Sequence, residues 1–294
     1  MRIRKDRPLQ NIEDRRFENR GRRRRGGTPV KLGLGGILIL GILSIVFDQN
    51  FFSLLDATAP TSPSSPGAGI DSPSAARTTS AEEEDLVLFL NAVLAENQEL
   101  WQRSLPQLGA QYRNSTLVFY RDVTRTGCGY GQGATGPFYC PGDEKVYIDL
   151  SFFDQLAGRF GAPGDFAQAY VLAHEVAHHV QNVLGIEAQM RRLQRQNPRR
   201  ANDLSVRMEL QADCLAGVWG HTAAQKGQLE SGDVEEGLRA AAAVGDDRLQ
   251  KAATGMVQPE TFTHGTSRQR MEWFQRGFRS GDPDVCDTFG ASRL

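Results

Sequence analysis

The chain contains little of the two residue types that most often bind zinc, with five histidines and four cysteines among its 294 residues. No two cysteines form a C-x-x-C pair, so a structural zinc site made of cysteines is not expected. An even number of cysteines favours disulfides if the folded part lies outside the cytoplasm. Cys128 and Cys140 bracket a glycine-rich loop and are predicted to pair, which leaves Cys214 for Cys286.

Charged residues are absent from residues 32–47, which follow a strongly basic N-terminus. Residues 1–31 contain twelve Lys and Arg against four Asp and Glu, a net charge of +8, whereas the whole chain carries −1. An uncharged apolar run after a basic cytoplasmic arm predicts a transmembrane helix over residues 32–52. A cleaved signal peptide and a buried core helix are the alternatives. Because membrane topology already explains the basic arm, nucleic-acid binding is not expected.

Aromatic residues are absent from residues 56–80, which are rich in proline and serine. This composition predicts a flexible linker over residues 53–80, before a folded domain over residues 81–294. The expected topology is a single-pass protein of the inner or plasma membrane, with a cytoplasmic N-terminus and an extracytoplasmic domain. The sequence predicts no particular oligomeric state.

Within the folded domain, the apolar spacing predicts helices before and after a short β-rich region. An S-x-x-E capping box opens the first helix at Ser80, and helical spacing follows it. The segments 136–140 and 145–150 flank a Pro-Gly-Asp turn, which predicts an antiparallel hairpin. From about residue 165 onwards the pattern is mostly helical. The expected fold class is therefore α+β, mostly helical with a small antiparallel sheet.

Three of the five histidines lie in the stretch HEVAHH, which begins at His174. On a helix predicted for about 165–184, His174 and His178 lie one turn apart on one face, where two imidazoles can bind one Zn²⁺. Glu175 is rotated by about a hundred degrees around the axis, so it can act as general base toward a zinc-activated water. Two hydrogen-bonded histidines in an ordinary helix are the alternative. His179 is expected to pack or to support the ligands.

A catalytic zinc site needs a third protein ligand, and the helix predicted for about 203–225 offers one. Glu209 and Asp213 are four residues apart and therefore share one face of that helix. Glu209 is predicted to be the third ligand, and Asp213 to accept a hydrogen bond from a ligand histidine. His264 and His221 are rival third ligands. A solvent-exposed acidic pair is the alternative without zinc.

In chain order, these motifs resemble the putative neutral zinc metallopeptidase family of YpfJ-like, membrane-anchored bacterial proteins. The resemblance rests on GPFYCPGDEKVYIDLSFF, HEVAHHVQN, ELQADCLAGVW, GDDRLQ, FTHGTSRQR and SGDPDVCDTF. It implies a zincin-like fold, one zinc ion and a protein or peptide substrate. The site residues carried over are His174, His178, Glu175, Glu209 and Asp213. E-x-x-x-D after H-E-x-x-H is also similar to gluzincin peptidases, although the gap between the motifs is longer here.

The predicted function is a zinc metallopeptidase, an endopeptidase with Glu175 as general base. One strand of the hairpin is expected to bind extended substrate by strand addition, unless that sheet edge is covered. In FTHGTSRQR, His264, Arg268 or Arg270 is a candidate to stabilise the oxyanion, or these residues only cap a helix and make surface contacts. The alternative function is a zinc-stabilised, non-catalytic interaction protein of the cell envelope.

Overall fold

The computed structural model describes residues 1–18, 79–133, 136–158, 161–292 and 294. In these residues the protein is mostly helical, with one four-stranded and one two-stranded sheet. The largest hydrophobic core lies between the long helices and one face of the larger sheet. Burial of this apolar surface is the main favourable contribution to folding.

The strands are β1 (Ile12–Asp14), β2 (Thr116–Tyr120), β3 (Val123–Thr126), β4 (Gly129–Gln132), β5 (Phe138–Cys140) and β6 (Lys145–Asp149). The α-helices are α1 (Ala81–Ser104), α2 (Ser151–Gly158), α3 (Asp165–Val183), α4 (Ile186–Gln196), α5 (Ala201–Gln225), α6 (Asp233–Ala243), α7 (Asp246–Thr254) and α8 (Ser267–Ser280). The described residues also contain the short 3₁₀ segments Leu105–Leu108, Pro198–Arg200, Pro259–Thr261 and Pro283–Cys286.

The larger sheet has the strand order β1-β2-β6-β5, so β5 forms one of its edges. The β1–β2 and β2–β6 pairs are parallel, and β5 pairs with β6 in antiparallel register, with Phe138 opposite Tyr147. Side chains alternate across the sheet. Val146 faces the large core, whereas Tyr147 belongs to a smaller cluster on the opposite face.

Helix α3 is central: it packs against α1, α5, α6 and the strands β5 and β6. Helices α5 and α8 approach closely, because glycines lie where their backbones touch. A Cβ added at Gly277 would come within 1.8 Å of the Cys214 carbonyl oxygen, and one at Gly217 within 2.1 Å of the Phe274 carbonyl oxygen. This close contact holds the second half of α5 against the second half of α8.

Two disulfides are present, in the pairs predicted above. Cys128 and Cys140 join the β3–β4 turn to the end of β5, with Cα atoms 5.8 Å apart. Cys214 and Cys286 join α5 to the segment after α8, with Cα atoms 5.5 Å apart.

Residues 1–18 lie against the folded domain. Strand β1 pairs with β2, and the Arg16 side chain, 2% exposed, contacts the carboxylates of Glu83 and Glu84 at the acidic start of α1. Arg7 contacts Glu96 and Glu99 further along the same helix. Arg7 and Arg16 are therefore paired with acidic residues of the domain.

The predicted fold class was wrong. The larger sheet is mixed rather than antiparallel, because its parallel pairs join segments that no local turn connects. No helix of the described residues is long and apolar enough to cross a membrane. The predicted anchor at 32–52 and nearly all of the predicted linker at 53–80 lie outside the described residues.

Candidate metal centre

Helices α3 and α5 bring three predicted ligands together at the wall of a cavity. His174 Nε2 lies 3.2 Å from Glu209 Oε2, and His178 Nε2 lies 3.6 Å from Glu209 Oε1. One ligand atom of each residue falls within 4.8 Å of the others. Glu209 therefore occupies the position predicted for a third ligand.

The spacing of these donor atoms fits a tetrahedral zinc ion. Zinc binds imidazole nitrogen at about 2.0–2.1 Å and carboxylate oxygen at about 2.0–2.2 Å, so neighbouring donors of a tetrahedral site lie about 3.3 Å apart. The two nitrogen–oxygen distances to Glu209, 3.2 and 3.6 Å, agree with this value. Two imidazoles and one carboxylate also form a donor set that leaves a fourth position open.

Asp213 orients His174 from behind. Its Oδ1 accepts a hydrogen bond from His174 Nδ1 at 2.9 Å, which directs the Nε2 lone pair toward the centre. The Asp213 side chain is fully buried, and it also accepts hydrogen bonds from the Tyr170 hydroxyl at 2.5 Å and from Arg270 Nε at 2.8 Å. Sequence reasoning placed Asp213 here but missed Tyr170 and this use of Arg270.

Gln181 orients His178 in the same way, and sequence reasoning missed it. Its Oε1 accepts a hydrogen bond from His178 Nδ1 at 2.8 Å. Its amide nitrogen donates to the Met208 carbonyl oxygen at 2.8 Å and to Gln211 Oε1 at 3.0 Å. Its role could have been predicted from the sequence, because Gln181 lies three residues after His178 and therefore on the same helix face.

Charge in the centre favours a divalent cation. Burial acts to raise the pKa of Glu209, but the neighbouring imidazoles of His178, His264 and His174 outweigh it and lower the pKa well below its usual value. The pKa of Asp213 is likewise lowered against the effect of burial, by Arg270 and His174. Burial acts to lower the pKa of His174, but the carboxylates of Asp213 and Glu209 raise it to about 10.

Zinc binding should therefore release protons. The metal-free protein holds a proton on His174 at neutral pH, whereas zinc needs the neutral imidazole, so at about pH 7.5 binding should displace about one proton from this residue. Apparent zinc affinity should rise with pH up to the raised pKa. Titration calorimetry in buffers of different ionisation enthalpy measures the number of protons. Asp213→Asn should release fewer, and pH-independent zinc affinity would contradict the prediction.

His264 lies at the same cavity and is held by Asp246, another residue that sequence reasoning missed. Asp246 Oδ2 accepts hydrogen bonds from the backbone N–H groups of Thr263, His264 and Gly265, and Oδ1 lies 3.2 Å from His264 Nδ1. The His264 side chain is 48% exposed, so a substrate can reach it. Partial removal of the ring from water acts to lower its pKa, but the carboxylates of Glu209 and Asp246 raise it, which favours the donor form.

The remaining predicted candidates lie elsewhere. His221 Nδ1 is 2.7 Å from the Phe278 carbonyl oxygen and does not line the cavity. Arg268 is 83% exposed and pairs with Glu272 on the surface. Arg270 lines the cavity, but its guanidinium binds Asp213. Of the oxyanion candidates, His264 alone combines access to the cavity with an oriented ring.

The cavity has a volume of about 570 Å³ and is bounded on one side by the β5 edge. Gly136, Pro137, Phe138 and Tyr139 line this side, and Glu175 lies on the helix wall among the ligands. Glu175 is 8% exposed and is not one of the converging ligand residues. An edge strand beside such a centre is a surface to which an extended peptide can add.

The fold and the site together define a mostly helical protein with a candidate zinc centre of the H-E-x-x-H type. The chain belongs to the family described as "Putative neutral zinc metallopeptidase", whose family model matches residues 1–289, so the predicted resemblance is confirmed. The family implies zinc.

Its relatives include "Uncharacterized protein YpfJ" of Escherichia coli K12, which is 49% identical over 285 residues, 96% of each chain. "Uncharacterized protein Rv2575" of Mycobacterium tuberculosis H37Rv is 43% identical over 206 residues, 66% of this chain and 68% of that one. No solved structure matches the chain.

Proposed function

We propose that the protein is a zinc endopeptidase that binds one zinc ion through His174, His178 and Glu209. The observation that carries this proposal is the position of Glu175. It borders the cavity directly beside His174, yet it is not one of the converging ligands. A zinc ion that only stabilised the fold would have no use for a carboxylate at this position, whereas hydrolysis needs a general base there.

Different residues of the chain have different roles in the proposed hydrolysis. When bound, zinc supplies Lewis-acid activation of water, lowering the pKa of that water to about 7. Glu175 accepts the proton of the water as its oxygen attacks the scissile carbonyl carbon, and later delivers the proton to the leaving amine. His264 donates a hydrogen bond to the carbonyl oxygen as negative charge develops on it. Asp246 keeps that ring oriented.

The substrate class follows from the β5 edge. A peptide that adds to this edge is held in an extended form, so that its backbone crosses the cavity in front of Glu175. Protein or peptide segments without tertiary structure meet this requirement. The two disulfides support an extracytoplasmic location for the domain, because disulfides persist in oxidising compartments.

Metal analysis combined with peptide cleavage tests the proposal. Purified protein should contain one zinc ion per chain and cleave members of a mixed peptide library. Chelation should abolish cleavage, and added zinc should restore it. Bound zinc without cleavage of any peptide would favour a zinc-stabilised, non-catalytic interaction protein instead. Protein that binds no zinc would overturn both functions.

A further inference from the structure

His179, the third histidine of HEVAHH, is fully buried and takes no part in the zinc centre. Its Nε2 lies 2.6 Å from the Arg113 carbonyl oxygen, and its Nδ1 lies 3.0 Å from the Tyr139 hydroxyl. A carbonyl oxygen can only accept, so Nε2 carries the proton, and Nδ1 accepts the hydrogen bond of the tyrosine. Asn182 Nδ2 donates to the same tyrosine oxygen at 2.9 Å.

Tyr139 is the middle residue of the edge strand β5. It lies opposite Val146, whose side chain faces the large core, so Tyr139 is on the sheet face that packs against α3. Its neighbour Phe138 stacks on Tyr147 on the other face, at a ring distance of 5.0 Å. The hydroxyl of Tyr139 is thus the point where two side chains of α3 hold β5 by hydrogen bonds.

Helix α3 therefore carries both histidine ligands of the candidate centre and this attachment. His179 follows His178 directly, and Asn182 lies one turn further along the same helix. A displacement of β5 relative to α3 would move a bound peptide relative to Glu175. Misplacement of a substrate by about 1 Å can slow a reaction by about a hundredfold, so the distance between the strand and the helix matters for hydrolysis.

We propose that His179 and Asn182 hold Tyr139 in order to position β5 for substrate binding, which makes His179 a positioning residue. We name the three residues the β5 brace. This assignment rests on the proposed function, since it concerns the same site and its peptide substrate. This role explains why a histidine that is not a metal ligand is buried next to the ligands.

Tyr139→Phe removes the hydroxyl and keeps the ring, and it is the decisive variant. Tyr112→Phe is its matched control, because the Tyr112 ring also contacts His179, at 5.3 Å, but does not line the cavity. Two peptides are compared: one extends several residues on both sides of the scissile bond, and the other consists of the two residues of that bond with blocked ends. Zinc content is measured for each variant.

For Tyr139→Phe, KM for the long peptide should rise about tenfold, because a buried hydrogen bond that holds the strand is lost. Its kcat for the long peptide should also fall, because that peptide is less precisely placed relative to Glu175, whereas its zinc content should match that of the wild type and cleavage of the short peptide should change far less. Amide exchange of residues 136–142 should become faster. His179→Phe should also raise KM for the long peptide, and the double variant should raise it by less than the two single changes together, because both changes remove the same bond between Tyr139 and His179.

Tyr112→Phe should behave as the wild type. A KM for Tyr139→Phe within twofold of that control would overturn the positioning role of the β5 brace. Loss of zinc, or an equal loss of activity on both peptides, would also overturn it, since either result indicates general support of the fold. A wild type that cleaves neither peptide would overturn the proposed function, and this proposal with it.

Discussion

Glu175→Gln should lower kcat for peptide hydrolysis by about 10²- to 10⁴-fold, the contribution usual for a general acid or base. Glutamine keeps the size of glutamate but cannot accept the proton of the attacking water. Zinc should remain bound at one ion per chain, because Glu175 is not among the converging ligands. Steady-state cleavage of the long peptide, together with metal analysis of the same samples, measures both quantities.

The matched control is Glu187→Gln, which removes a carboxylate from another part of the same cavity. Glu187 pairs with Arg191 at 2.5 Å on helix α4, and its variant should retain activity within a few-fold. The comparison separates a proton acceptor from a mere negative charge near the substrate. Full zinc-dependent activity of Glu175→Gln would show that another group accepts the proton, and loss of zinc would make Glu175 a ligand.

The part of the site that was predictable from sequence depends on helix geometry. His174 and His178 lie on one helix face because of their spacing, and the same rule places Glu209 and Asp213 together. These relations hold within a single helix and need no tertiary contact. That α3 and α5 pack with these faces toward each other did not follow from spacing; the family resemblance supplied that expectation.

The partners that sequence reasoning missed come from elsewhere in the fold. Arg270 is 57 residues from Asp213 along the chain, and Asp246 is 18 residues from His264. The spacing of polar residues within a helix carries no information about such contacts. Glycines at the α5–α8 contact allow the close approach that brings Arg270 to Asp213. Their role can be recognised only once the two helices are known to touch.

The contacts of the N-terminal residues with the folded domain did not follow from the sequence either. The basic composition of residues 1–31 predicts the flank of a membrane helix, and that helix lies outside the described residues; within residues 1–18, Arg7 and Arg16 pair with acidic residues of α1. Charge composition does not distinguish a lipid-facing arm from a segment that binds an acidic surface of its own chain. Parallel pairing of β1 with β2 leaves no turn between them that a sequence pattern could reveal.

Arg270→Met should destabilise the metal-free protein by about 3–5 kcal/mol, because the buried carboxylate of Asp213 loses the partner that binds both of its oxygens and keeps only the His174 ring as a cationic partner. The guanidinium binds both carboxylate oxygens, with Nε 2.8 Å from Oδ2 and Nη2 2.9 Å from Oδ1. Both side chains are almost completely buried, so water cannot replace the lost bonds. Urea unfolding after removal of zinc measures the change in the free energy of unfolding.

Arg268→Met is the matched control, since the same substitution two residues away removes an exposed ion pair with Glu272 and should leave the free energy of unfolding almost unchanged. Equal stability of the two variants would contradict a requirement for Arg270.

The double variant Arg270→Met and Asp213→Asn removes both buried charges, so its free energy of unfolding should fall by less than the sum of the two single changes. Its zinc affinity should nevertheless fall by about 10- to 100-fold, because a neutral amide orients His174 less well than a carboxylate does. Recovery of stability without recovery of zinc binding would separate the role of Arg270, which neutralises Asp213, from the role of Asp213, which orients the ligand.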